Sequence, residues 1–169
     1  MIHIYIGDGK GKTTAAIGLS VRYAGSGKKV RIFQFLKDGS SSELCFLKNT
    51  DICVTPCQTR VKGFFWDMCD EEKNDLKKET EENFCSAEKA LKNCDMVVLD
   101  ELSGAIFNGL ISVEKVTALL TKYADTKEIV ITGRSLPDEI LKMAHYVSEI
   151  KSIKHPFENG GKAQKGIEF

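Results

Sequence analysis

Apolar and polar positions along this chain follow two rhythms. Runs of β-branched and aromatic residues, "IHIYI" (2–6), "KVRIFQFL" (29–36), "DMVVLDE" (95–101) and "EIVIT" (128–132), are too short for helices and read as strands. "ICVTPC" (52–57) is a weaker strand, expected to end at Pro56, and "YVSEI" (146–150) is a candidate sixth. Between them the spacing turns helical. Ala15, Ala16, Leu19 and Tyr23 share one face of a helix that Gly25 and Gly27 stop. The segment 70–93 is densely charged, yet Leu76, Phe84, Ala87 and Leu91 form one apolar stripe, so its charges make a solvated face. Ser112 is placed to cap a helix carrying Val113, Val116, Leu119, Leu120 and Tyr123. A short helix opens near Pro137, and the tail beyond it ends glycine-rich and irregular.

Strands and helical segments alternate throughout, which predicts an α/β fold with a mostly parallel sheet and helices on both faces. The 169 residues suit one domain spanning 1–169, with no repeat or linker. Lysine and arginine total 24 against 24 acidic residues, so the chain lacks the basic footprint of a nucleic-acid binder. No apolar run approaches the ~18 residues of a membrane span. Met1 leads directly into the first strand, leaving no room for a signal peptide, and a cytoplasmic protein is expected. Cys45, Cys53, Cys57, Cys69, Cys85 and Cys94 include no C-x-x-C pair and read as ordinary thiols.

The candidate chemistry begins at "YIGDGKGKTT" (5–14). A phosphate-binding loop has the pattern G-x-x-x-x-G-K-[ST], but here the first glycine is Gly7 where the spacing asks for residue 6. The loop is one residue short. Its setting, between a strand and a helix, still fits a phosphate cradle. Gly7, Gly9 and Gly11 are expected to turn backbone N–H groups toward an anion, with Asp8, Lys10 and Thr14 completing the loop. The helix beginning near Lys12 directs its positive end to the same place. Lys12 adds an ammonium and Thr13 a hydroxyl suited to Mg²⁺.

Asp100 and Glu101, at the end of an apolar strand, are the matching metal candidates. Arg134, in "TGR", and Arg22, late in the first helix, are candidate phosphate contacts. In "GFFW", Phe64, Phe65 and Trp66 are consecutive, and two readings stand: one or two are ordinary core, or they form a flat apolar wall for a large planar ligand. An ATP or GTP hydrolase or a kinase would account for Lys12, Thr13 and Asp100, but not for the aromatic segment. A nucleotide-dependent carrier without turnover is a further alternative.

Taken in order, "GDGKGKTTAAIGL", "FQFLK", "GFFW", "DMVVLDEL", "VITGR", "KHPF" and "KAQKGIEF" resemble the phosphate-loop ATP:corrinoid adenosyltransferases of cobalamin biosynthesis. The resemblance implies a P-loop NTPase-like (RecA-like) domain. It also implies transfer of the 5′-deoxyadenosyl group of ATP to the Co(I) of a corrinoid, with triphosphate released. In that family the nucleotide lies reversed in the short loop, so that the ribose 5′ carbon faces the cobalt. The same resemblance implies Mg²⁺, a flavoprotein reductant for Co(II) and a homodimer. It assigns Phe64 and Trp66 to excluding the lower axial ligand of Co(II), which eases reduction.

Two departures stand out. Gly104 replaces a frequent tyrosine. The family often has an N-terminal extension that covers the site, whereas this sequence opens at the first strand, so either another segment is expected to cover the corrinoid or the site is more open.

Overall fold

A computed structural model describes residues 1–57, 63, 65–156 and 160–167. Six strands form one sheet: β1 (Ile2–Ile6), β2 (Val30–Phe35), β3 (Cys53–Cys57), β4 (Met96–Asp100), β5 (Glu128–Thr132) and β6 (Tyr146–Glu149). Their order is β3-β2-β4-β5-β1-β6, and every adjacent pair is parallel. The helices are α1 (Lys12–Ala24), α2 (Ser42–Leu47), α3 (Asp70–Leu91), α4 (Leu102–Phe107), α5 (Val113–Tyr123) and α6 (Asp138–Leu141).

Inner strands β4 and β5 are apolar on both sides because both sides are covered, whereas edge strand β6 is exposed along its length. On β4, Val97 and Leu99 join Ile2, Ile4, Phe33, Phe35, Ile129 and Ile131 beneath α3, α4 and α5. Met96 and Val98 point the other way and pack with Val30, Ile32, Val130 and Ala16 of α1. This division is the period-two alternation of a strand, expressed as two cores. The stripe read on α3 is real: Leu76, Phe84, Ala87 and Leu91 are all buried. On α5, the Ser112 side chain accepts a hydrogen bond from the Lys115 N–H, as its capping role requires.

Pro56 does not end β3. It lies within the strand, opposite Gln34. The strand tolerates it because β3 is at the sheet edge, where a residue without an N–H leaves no ladder partner unsatisfied. Short helices α2 and α4 add turns that the hydrophobic rhythm did not mark. All six cysteines are free, and burial pushes the Cys57 thiol up to about 11.

In a parallel sheet all strands end on the same edge. The phosphate loop follows β1, Lys37 follows β2, Asp100 closes β4 and Arg134 follows β5. Parallel pairing therefore gathers on one edge residues that are far apart in sequence.

Candidate active site

Asp100 is the centre of the cluster. Its side chain is 1% exposed, and both oxygens are occupied. Oδ1 accepts from Thr13 Oγ1 at 2.9 Å and Thr132 Oγ1 at 2.7 Å. Oδ2 accepts from Lys37 Nζ at 2.7 Å and Gln34 Nε2 at 3.3 Å. Lys37 Nζ also donates to Thr13 Oγ1 at 2.9 Å. A buried carboxylate needs such partners, since leaving the charge unpaired would be costly.

Glu101 follows in the left-handed region, at φ 60°, with its N–H donating to Thr132 Oγ1 at 2.9 Å. Burial first, and the adjacent Asp100 second, push its carboxyl above the usual range, against Lys37, Lys12 and Arg134.

The loop departs from its expected role in one respect. The Gly7 N–H donates to the Arg134 carbonyl at 2.9 Å, and the Gly9 N–H to the Ile150 carbonyl at 2.8 Å. Neither amide is directed at an anion. The reason is the chain leaving β6: Ile150 also donates its own N–H to the Ile6 carbonyl at 2.8 Å, so the exit strand lies directly against the loop. Ser152 N–H reaches Asp8 Oδ1 at 3.2 Å and extends the tie. What is left to face an anion is Gly11 and the first turn of α1, whose N–H groups lack intrahelical acceptors. Lys12 is folded over the loop, its ammonium donating to the Gly9 carbonyl at 2.8 Å.

Gly7 is indispensable here for geometric reasons. At φ 120°, a Cβ would stand 2.2 Å from the Ile150 carbonyl oxygen, a backbone atom that cannot swing aside. Gly7→Ala is expected to cost at least about 2 kcal/mol in urea unfolding and to weaken ATP binding in the same samples.

The oxygen donors fit Mg²⁺. Thr13 supplies a hydroxyl and Asp100 a carboxylate at hydrogen-bond distance from each other, with Glu101 next in the chain. Hard oxygen donors of this kind suit that ion. Gln34 Oε1, buried beside the carboxylate without a partner, offers an acceptor for a metal-bound water.

The family model for ATP:corrinoid adenosyltransferase BtuR/CobO/CobP matches residues 1–169. The chain belongs to the ATP:corrinoid adenosyltransferases. A corrinoid adenosyltransferase of Escherichia coli strain K12 is 34% identical over 170 residues, covering 100% of this chain and 85% of that protein. One from Pseudomonas aeruginosa is 32% identical, covering 98% of this chain and 82% of that protein. Among solved structures, the flagellar accessory protein FlaH of Methanocaldococcus jannaschii superposes with a TM-score of 0.52 at 17% identity, over 88% of this chain and 69% of that one. That likeness is one of fold, and the fold is RecA-like: β5 separates the loop strand β1 from the Asp100 strand β4.

The other residues expected to serve this adenosyltransferase are distributed unevenly. Arg134 sits against the loop, its carbonyl holding Gly7 and its N–H donating to Ser103 Oγ at 3.0 Å. Asp8, Lys10 and Thr14 are exposed on the loop and the first helical turn. Arg22 is not brought to the site. It is exposed in the last turn of α1, about 15 Å along the axis from Lys12 at the usual helical rise.

Trp66 lies in a 3₁₀ turn (Phe65–Asp67) on the connection leaving the C-terminal end of β3, and is 73% exposed. Phe65 packs against the core and carries the Lys73 ammonium 5.5 Å from its ring centroid. Phe64 lies outside the described residues.

Gly104 has a local use. A Cβ there would stand 2.7 Å from Leu36 Cδ1, so the glycine makes room for that side chain.

Lys37, Gln34 and Thr132 were not singled out as site residues by sequence reasoning. The available signal was positional: each lies at or just past the C-terminal end of an apolar strand, where open α/β sheets place ligands.

Proposed function

We propose that the chain, as one domain spanning residues 1–169, transfers the 5′-deoxyadenosyl group of ATP to the Co(I) of a corrinoid. Inorganic triphosphate is released. The observation that carries this reading is the coincidence of a full-length family match with an intact Lys12–Thr13–Asp100 cluster at one sheet edge. The cobalt electron pair attacks the ribose 5′ carbon, a cobalt–carbon bond forms, and the C5′–oxygen pair departs with triphosphate. Co(I) is a strong nucleophile, so no general base is required, and none of His3, His145 and His155 is needed as one.

The protein's contribution is orientation and charge stabilisation. Gly11 and the first-turn amides of α1 receive the phosphate chain, and Lys12 leaves the Gly9 carbonyl for it. The short, tied loop favours a nucleotide lying reversed, with its ribose 5′ carbon outward. Thr13 and Asp100, with Glu101 beside them, would hold Mg²⁺, which would supply positive charge for the leaving oxygens. Arg134 faces the same edge and adds a further cation.

The reductant in this reading is a flavoprotein, the active form is a homodimer and the protein works in the cytoplasm. No helix among the described residues is long and apolar enough to cross a membrane. An anaerobic assay with chemically reduced corrinoid and MgATP tests the reading. It must give the absorbance change of a cobalt–carbon bond together with stoichiometric triphosphate; phosphate alone would establish a hydrolase.

In this reading Trp66 helps to exclude the lower ligand of Co(II), a role that the family resemblance assigns to Phe64 as well. Each tenfold of differential binding moves a one-electron potential by about 59 mV. Trp66→Ala is expected to impair turnover from Co(II) with a flavoprotein reductant, and to leave turnover from supplied Co(I) much less affected. Comparing the two assays on the same preparation checks this.

A further inference from the structure

Lys37 grips the same two side chains that a divalent ion would require. Its Nζ is 2.7 Å from Asp100 Oδ2 and 2.9 Å from Thr13 Oγ1, while Thr13 and Asp100 are 2.9 Å apart. We propose that Lys37 is a positioning residue that stands in for the divalent cation. Before the metal nucleotide arrives, its ammonium holds Asp100 and Thr13 in place; on arrival it yields them and turns onto the phosphate chain. This rests on the reading of the edge as a metal–nucleotide site.

Three observations carry it. The Asp100 carboxylate is saturated, with Thr13, Thr132, Gln34 and Lys37 filling its roughly four acceptor positions. A metal can therefore gain the carboxylate only if a donor leaves. Gln34 and Thr132 are fully buried, and Thr13 is fixed in the first turn of α1. Lys37 alone among the four has a long flexible stem, and its side chain is 26% exposed, so it has a way out.

The second observation is in the backbone. Among the described residues, the only non-glycine residues at positive φ are Leu36, at 54°, and Glu101, at 60°. One immediately precedes Lys37 and the other immediately follows Asp100. Left-handed leucine is disfavoured by its Cβ, so the fold accepts strain at the turn that delivers the ammonium to the carboxylate. Gly104 leaves space for the Leu36 side chain that this turn displaces. The third is the unpartnered Gln34 Oε1, an acceptor with no use for an ammonium held elsewhere but suited to a water on a bound ion.

A permanent structural ion pair would give the same distances, so the test must read the exchange itself. Full-length protein without nucleotide is titrated with Mn²⁺, following free ion by electron paramagnetic resonance. Wild type is expected to bind Mn²⁺ alone weakly. Lys37→Met should bind it about tenfold or more tightly, because a competing unit charge has gone. Lys37→Arg, which keeps the charge, should resemble wild type.

If Lys37→Met is poorly stable, Mn²⁺ should raise its Tm while leaving that of wild type unchanged. Adding Asp100→Asn to Lys37→Met should abolish both gains. In EDTA, Lys37→Met should also lose part of its ATP affinity, since Lys12 is then left without the second ammonium that turns onto the phosphates. Equal Mn²⁺ affinity in wild type and Lys37→Met, with no Tm response, overturns the proposal. So does a gain that survives Asp100→Asn. ATP-dependent Mn²⁺ binding by wild type that persists in Asp100→Asn alone sinks the underlying site reading instead, and the two failures are thus separable.

Discussion

Lys12→Ala is expected to lower turnover by two to three orders of magnitude while the protein remains folded. Among the described residues the ammonium is tied to a loop carbonyl, Gly9 O at 2.8 Å, and to no buried carboxylate, so removing it breaks no buried pair there. What is lost is a positive charge placed where the departing triphosphate accumulates negative charge. Deleting one such preorganised donor typically costs about 3–4 kcal/mol of transition-state stabilisation. The deficit should appear in kcat from supplied Co(I), with urea unfolding close to wild type. Near wild-type kcat would remove Lys12 from the chemistry.

Asp100→Asn should damage both activity and stability. The carboxylate is the shared acceptor of four donors, and an asparagine turns one of its two oxygens into an NH₂ that faces donors. Lys37 then loses its counter-ion. Breaking a buried pair on one side costs about 3–5 kcal/mol, and the low end applies because Lys37 keeps access to water. Urea unfolding measures that part. Turnover should fall about a hundredfold or more, with the loss of a ligand for the ion that neutralises the leaving group. Adding Lys37→Met should recover much of the stability and none of the turnover, which separates the structural share from the catalytic one.

The strands were legible because burial on both faces of a parallel sheet leaves little but apolar residues. "DMVVLDE" reads as a strand covered on both faces, and β4 lies between β2 and β5. Local signals sufficed for the Ser112 cap and for the stripe on α3. Pro56 was misjudged because a sequence does not state which strand is at the edge. α4 has six residues, too few for a rhythm to show.

At the candidate site, the meeting of Thr13 and Asp100 at one sheet edge follows from spacing and strand ends. The partners that give them their state do not. Lys37 is 63 positions from Asp100 and Thr132 is 32 away, and no local pattern links them. The diversion of the Gly7 and Gly9 amides depends on Arg134 and Ile150, which only the finished sheet brings near.

The frame of the phosphate loop is thus the last part of the sheet to be synthesised. β1 and the phosphate loop leave the ribosome first, yet β1 lies between β5 and β6, and the loop is gripped by residues 150 and 152. A nascent chain halted before residue 146 would already carry Lys12, Thr13 and Asp100 and still lack the frame that shapes the loop. Such long-range pairing is slow to form. The loop geometry described above therefore belongs only to polypeptides that extend past the final strand.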